Sequence, residues 1–282
     1  MISLAAFADE ISPTLTEALT ALHSRGIDRI DLRSIDYVNV LELDDQRVGE
    51  VERLLADEGV AVAAIATPIG KVPVDSAGAS ERARFERALE VASRLSANFI
   101  RVFTGYGPGG RWQCEADRDA WCSAVTDRIT EMDAEAGRNG MTVLVENDLG
   151  TYAESPHRMF ALLKDTASDT VRTAFDAANY ALCGFDPYPA FDALRSWIGV
   201  LHVKDIDDTG STTVAGQGCC RWPEILEELA ATPDRPYLSL EPHLKFAGPA
   251  GGFSGIDGFT DAASALSVLL NEHLTAQKGT LR

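Results

Sequence analysis

Basic residues are scarce in this chain, which carries 25 Lys and Arg against 43 Asp and Glu over 282 residues, a formal net charge of −18. Nucleic acid and anionic membrane surfaces call for a positive stripe, so neither is expected as a partner. The five cysteines, Cys114, Cys122, Cys183, Cys219 and Cys220, contain no Cys-x-x-Cys pair. An odd count without such a pair suits a reducing compartment and thiols that simply pack. No basic region marks the N-terminus, which reaches Asp9-Glu10 after a short apolar run. Neither a signal peptide nor a membrane span is expected there, and the cytoplasm is the expected location. A Gly-rich phosphate turn is missing too. Ala8-Asp9-Glu10-Ile11 stands where a doubly wound dinucleotide-binding sheet would carry it. There is no low-complexity segment and no charge run long enough for a disordered tail, although 277–282 is expected to fray.

What the chain does contain is apolar residues, 45% of the total, enough for a sizeable core at a length normal for a barrel. Strand-like runs alternate with helical patterns eight times. Ile2–Ala8 leads into Ser12-Pro13, read as a cap and first turn of a helix reaching Arg25. Arg29–Arg33 precedes a helix over about Asp44–Glu58, and Val60–Ile65 precedes one over about Ser80–Ser96. Asn98–Phe103 is followed by the Gly-rich loop Thr104–Gly110 and a helix from Glu115 to Arg138. Four more strands follow, with Ser155-Pro156 and Asp186-Pro187 as helix starts and helices over about Arg221–Ala231 and Gly258–Leu274. The pattern predicts one α/β domain over residues 1–282, a (β/α)8 TIM barrel. A long Gly-rich loop, 242–257, follows its last strand and suits a lid or a docking surface.

The last four apolar runs each end in a metal-ligating residue: Glu146, Asp176, His202 and Glu241. Parallel neighbouring strands of a barrel bring their ends to one rim, so three carboxylates and an imidazole are expected to converge on one hard divalent cation. Each residue alone is more simply a solvated charge or a packed core group, and the set of four carries the inference. Lys204 alternates onto the face of His202, where it either binds a substrate oxygen or neutralises the carboxylates. His243 lies two residues after Glu241, at the surface or in the pocket as an alternative acid or base. Arg33, Lys71 and Arg101, near the ends of strands two to four, are candidate substrate anchors or ordinary salt-bridge partners. Asn147 and Asn179 are candidate donors that hold the ligands, and Phe103, Tyr106 and Trp112 a candidate apolar wall.

The motifs Val145-Glu146-Asn147, Phe175-Asp176-Ala177-Ala178-Asn179, His202-Val203-Lys204-Asp205, Gly216-Gln217-Gly218 with Trp222-Pro223-Glu224, and Leu240-Glu241 resemble the xylose isomerase-like superfamily over essentially the whole chain. The resemblance implies a sugar isomerase or epimerase holding Mn²⁺ first, with Mg²⁺ or Co²⁺ as alternatives, on Glu146, Asp176, His202 and Glu241. It also implies Glu146 and Glu241 as the base and acid on opposite faces of a small sugar or keto-sugar. A proton leaves the carbon beside a polarised carbonyl, through an enediolate. Two departures bear on the substrate: Asn179 stands where ketose epimerases commonly have His, and Asp148 where many relatives have another acid or His. The same site suits β-elimination, as in lyases acting on 3-keto C-glycosides or inososes. A homo-oligomer is allowed, or for such a lyase a small second subunit seated at 242–257. The superfamily's histidine-rich three-metal endonucleases fit poorly, because only His23, His157, His202, His243 and His273 are available. A non-catalytic sugar-binding barrel is the remaining alternative.

Overall fold

Buried apolar runs become strands because both of their faces find cover, one from the barrel interior and one from the helices. The computed structural model describes residues 2–76, 78–168, 170–232, 235–248 and 251–274. Among these, eight parallel strands close into a barrel: β1 Leu4–Phe7, β2 Arg29–Leu32, β3 Ala61–Ala66, β4 Phe99–Val102, β5 Thr142–Glu146, β6 Val171–Asp176, β7 Ile198–Val203 and β8 Tyr237–Leu240. Each pairs with its sequence neighbours, and β8 closes on β1 with Leu4 opposite Leu238. Around them run α1 Leu15–His23, α2 Asp45–Glu58, α3 Ala79–Arg94, α4 Glu115–Arg138, α5 Pro156–Thr166, α6 Pro187–Leu194, α7 Trp222–Ala231 and α8 Gly255–Leu274. The expected (β/α)8 TIM barrel is present.

Local chemistry sets several of these starts. Ser155 accepts the Arg158 N–H before α5, Asp186 accepts that of Tyr188 before α6, and a proline occupies the first turn of each. Asp44 caps α2 in the same way, and Gly59 ends it at φ 67, a left-handed conformation that glycine adopts without strain. The Ser12-Pro13 start is corrected. A one-turn helix, Ala8–Ile11, comes first, and Ser12 ends it in extended conformation with its N–H on Ala8 O. The Ser12 hydroxyl accepts from Thr14 N–H and donates to Glu17, so α1 begins only at Leu15.

The C-terminal rim carries three antiparallel pairs: Ser34–Ile35 with Val38–Asn39, Asp205–Ile206 with Thr212–Thr213, and Phe246–Gly248 with Gly251–Phe253. The last pair lies within the expected 242–257 loop, of which 249–250 fall outside the described residues, and α8 begins at Gly255 rather than Gly258. The 277–282 tail falls outside the described residues. Among the described residues no helix is long and apolar enough to cross a membrane.

Inside the barrel, Ala5, Ala63, Ala64, Leu144, Ala174, Val200 and Tyr237 fill the floor. Asp31 is buried beside them and accepts a hydrogen bond from the Tyr237 hydroxyl at 3.0 Å. Burial raises its pKa from 3.8 to about 6, against the pull of His202 and the Tyr237 hydroxyl. The fold therefore binds this proton more tightly than the unfolded chain does. Stability is not reduced below pH ~4 and falls as the pH rises through about 6, by on the order of 2–3 kcal/mol. Asp31→Asn keeps an acceptor for Tyr237 and removes the charge. Thermal unfolding of the variant should show a Tm several degrees above wild type at pH 7.5 and little difference at pH 4; equal gains at both would refute the assignment.

Candidate metal centre

Glu146 ends β5, Asp176 ends β6, His202 sits late in β7 and Glu241 follows β8 with its N–H on Val203 O. Register places Asp176 opposite His202, and His202 opposite Ser239, two residues before Glu241. The four side chains are buried, and one donor atom from each lies within 4.8 Å of all the others. His202 Nδ1 is 3.5 Å from Glu146 Oε1 and 3.3 Å from Glu241 Oε2. Neither His202 Nδ1 nor Glu241 Oε2 makes an aligned hydrogen bond. Buried polar atoms are costly in that condition, and a cation seated among the four residues would satisfy both. Three oxygens and one imidazole nitrogen suit a hard divalent ion with positions left open for substrate oxygens.

Charge supports the same fit. The ion-pair network around these residues joins five carboxylates, Asp9, Glu10, Glu146, Asp176 and Glu241, to three cations, Arg33, Arg101 and Lys204. Two negative charges are left when its histidines are neutral, which is the charge a divalent ion balances. Burial pushes Glu146 up, but Arg101 and His202 outweigh it and hold the carboxyl at about 2. Burial likewise raises Glu241, yet Lys204 and His243 bring it well below the usual range. For Asp176 burial wins over Lys204, and the carboxyl is raised. His202 is depressed by burial and raised further by Glu146 and Glu241, ending at about 10.

Each glutamate is held in the same manner. Glu146 Oε2 takes Arg101 Nη1 at 2.5 Å and turns Oε1 to His202, while Glu241 Oε1 takes Arg33 Nη1 at 3.0 Å and turns Oε2 to His202. Both guanidinium groups lie over the Phe7 ring, whose edge meets His202 at 5.2 Å between centroids. Lys204 Nζ is 2.6 Å from Asp176 Oδ2 and 3.8 Å from Glu241 Oε2. Asn147 receives the Asp176 N–H on its side-chain oxygen and donates to the Asp176 carbonyl, both at 2.9 Å. Asn179 donates its N–H to Asp176 Oδ1 and its side-chain amide to Asn147 O. These bonds fix the turn that presents Asp176.

Above the four residues opens a cavity of about 830 Å³ lined by Glu146 and Glu241. Of the candidate substrate residues, Arg33, Lys71, Arg101, Asp148, Asn179, Lys204 and His243 line it. Asn147 is fully buried and is not among its walls. Lys71 pairs with Asp148 at 2.9 Å, so the acid at the departing position is matched by a cation. Phe103 and Tyr106 line the cavity, but Trp112 does not: it packs on Tyr152 at 6.0 Å and beneath Arg118. His243 is 8% exposed and faces inward, its Nε2 3.2 Å from Glu10 Oε1 and 3.4 Å from Glu241 Oε1.

Sequence reasoning missed Asp9 and Glu10. Glu10 is fully buried and accepts from Ser254, the His243 N–H and Arg33, while Asp9 accepts from Arg33 and Ser34. The signal was present in two acids directly after the first strand, where a solvated turn needs none. Arg33 also donates to Gly252 O, which ties this strand pair of the rim to the network. A side chain at Gly252 would put its Cβ 2.0 Å from His243 Cδ2, so the close approach requires glycine.

A closed barrel with this centre at its C-terminal rim defines the class: the chain belongs to the xylose isomerase-like TIM barrel family, whose model matches residues 19–254. No curated protein matches it. Among solved structures it is similar to the probable 3-DHS dehydratase AsbF from Bacillus anthracis, with 19% identity, 94% of this chain and 99% of that one covered, and a TM-score of 0.73. It is similar to the IOLI protein with a bound zinc atom, at 15% identity, 96% and 99% coverage and a TM-score of 0.75. An L-ribulose 3-epimerase is similar too, at 16% identity, 100% and 98% coverage and a TM-score of 0.72. At such identities these likenesses speak for the fold.

Proposed function

We propose that this chain is a divalent-metal-dependent enzyme that isomerises or epimerises a sugar or keto-sugar by moving a proton beside a carbonyl. The observation that carries the reading is the matched pair of glutamates, each anchored by an arginine through one oxygen and presenting the other to the centre. A divalent cation held by Glu146, Asp176, His202 and Glu241, with Mn²⁺ first and Mg²⁺ or Co²⁺ as alternatives, supplies polarisation of the carbonyl when bound. Both glutamates are ionised at neutral pH, as a base must be, and the arginines prevent either from swinging away. One takes the proton and can return it to the neighbouring carbon; delivery to the opposite face requires the other glutamate, ionised at rest, to draw a proton from solvent first. Lys204, kept cationic by Asp176 and Glu241 despite its burial, is placed to stabilise negative charge developing on a substrate oxygen. The structural likeness to an epimerase supports the reading.

Elimination is the second reading, favoured by His243. Its imidazole lines the cavity beside Glu10 and can hand a proton to a departing oxygen. A dehydratase also stands among the similar structures. Metal analysis of the purified protein, followed by a panel of keto-sugars in D₂O with each divalent ion, separates the outcomes. Deuterium in the recovered sugar is the expected result, and a released fragment or water marks elimination. Neither, with every ion and sugar tried, would leave a non-catalytic binding barrel.

A further inference from the structure

The cavity is larger than a bare monosaccharide requires, and part of its wall is aliphatic. At about 830 Å³ it lies near the upper end of the roughly 300–1,000 Å³ that encloses drug-sized ligands, whereas a hexose has only about a dozen heavy atoms. Its polar groups lie on the strand ends and on the side of the rim formed by Asn39, Glu42, Lys71 and Arg84. Three successive segments put aliphatic side chains on the other side of its wall: Leu149 after β5 and Leu182 at the end of the short helix Ala177–Leu182 after β6, both open to solvent, and below them the buried Ile206 after β7. Leu149 and Leu182 are 41% and 43% exposed. Tyr106, on the neighbouring loop, completes this side of the opening. Leucines left open to water beside a polar well gain free energy when a ligand covers them, and a sugar ring seated on the carboxylates does not supply apolar surface of that kind.

Charge narrows the ligand further. Every cation of the cavity already faces a carboxylate: Arg33 meets Asp9, Glu10 and Glu241, Lys71 meets Asp148, Arg84 meets Glu81, Arg101 meets Glu146, and Lys204 meets Asp176. A phosphate would have to displace one of these partners.

Resting on the metal-dependent sugar chemistry proposed above, we infer that the substrate is a neutral sugar carrying an apolar, ring-sized substituent: a glycoside with an aryl aglycone lying on Leu149, Leu182, Ile206 and Tyr106. Free monosaccharides and sugar phosphates are poorer ligands.

The test compares phenyl 3-keto-β-D-glucopyranoside with free 3-keto-D-glucose and its 6-phosphate, by turnover and by calorimetric binding to the metal-loaded enzyme. The phenyl glycoside is expected to exceed the free sugar at least tenfold in kcat/KM and in affinity, because covering the mouth adds apolar burial without new polar contacts. In the double variant L149N/L182N, folded by its Tm, that ratio should fall to about one. A free sugar or phosphate that equals or beats the glycoside overturns the inference, as does a ratio insensitive to the double substitution. If none of the three reacts with any ion, the proposed chemistry fails, while the binding ratio still decides what the mouth prefers.

Discussion

Glu241→Gln should lower kcat by at least ~10³-fold on whatever keto-sugar proves to be turned over, in a protein that remains folded. A positioned proton acceptor contributes roughly 10²–10⁴-fold by itself, and the amide is also a poorer metal ligand. Glu146→Gln should lose as much activity, but the two variants should differ in stability. Arg33 keeps Asp9 and Glu10 when Glu241 is neutralised. Arg101 has Glu146 as its carboxylate partner, and its Nε is already without a hydrogen bond. Removing the charge at 146 therefore leaves a buried guanidinium uncompensated, at a cost on the order of 3–5 kcal/mol. Circular-dichroism melts should show a distinctly lower Tm for Glu146→Gln than for Glu241→Gln. In D₂O, solvent exchange into the substrate at wild-type rate in both variants would remove the glutamates from the proton transfer.

The four candidate ligands were legible because each barrel strand is a buried apolar run that meets its first charged or imidazole group where it leaves the core. Burial makes the run apolar, and the rim makes its end polar. What lay beyond the strands was harder to read. Ser12-Pro13 has the composition of a helix start, but a turn of helix at Ala8–Ile11 reaches it first and uses Ser12 as its end. That turn carries Asp9 and Glu10 back under Arg33, a contact between residues 24 and 23 positions apart that no local periodicity reports. His243 looked as much a surface group as a pocket one. The strand pair Phe246–Gly248 and Gly251–Phe253 folds over it, and Glu10 accepts its backbone N–H, so it is turned inward. Trp112 follows a Gly-rich loop whose Tyr106 lines the cavity, yet the 67° edge contact with Tyr152 and the Arg118 guanidinium hold its ring on the α4 side. In each case the missing information was a partner distant in sequence.

Loading the protein with Mn²⁺ after chelation should raise its Tm by on the order of 10 °C when the ion is about a thousandfold above its Kd. Binding to the folded state alone adds roughly 4 kcal/mol at that ratio, and a barrel of this size gains ~2–4 °C per kcal/mol. The stabilisation should depend on pH, because the ion and a proton compete for His202 Nδ1. Without metal, Glu146 and Glu241 hold that imidazole's pKa at about 10, so it is protonated throughout the neutral range. The proton must leave before the nitrogen can coordinate, and apparent affinity should rise about tenfold for each pH unit from 6 to 8. Glu146, at about 2, and Glu241, below the usual range, are ionised over that interval and add no slope. Calorimetric titrations in two buffers of different ionisation heat should count the proton released at pH 7. An affinity flat across this range would mean that the ion avoids His202, and an unchanged Tm with Mn²⁺, Mg²⁺, Co²⁺ and Zn²⁺ would mean that the centre does not hold a metal. Asp176→Asn separates the site from adventitious binding. It removes a carboxylate whose turn is fixed by Asn147 and Asn179, so the backbone geometry should persist while the metal-dependent rise in Tm is lost.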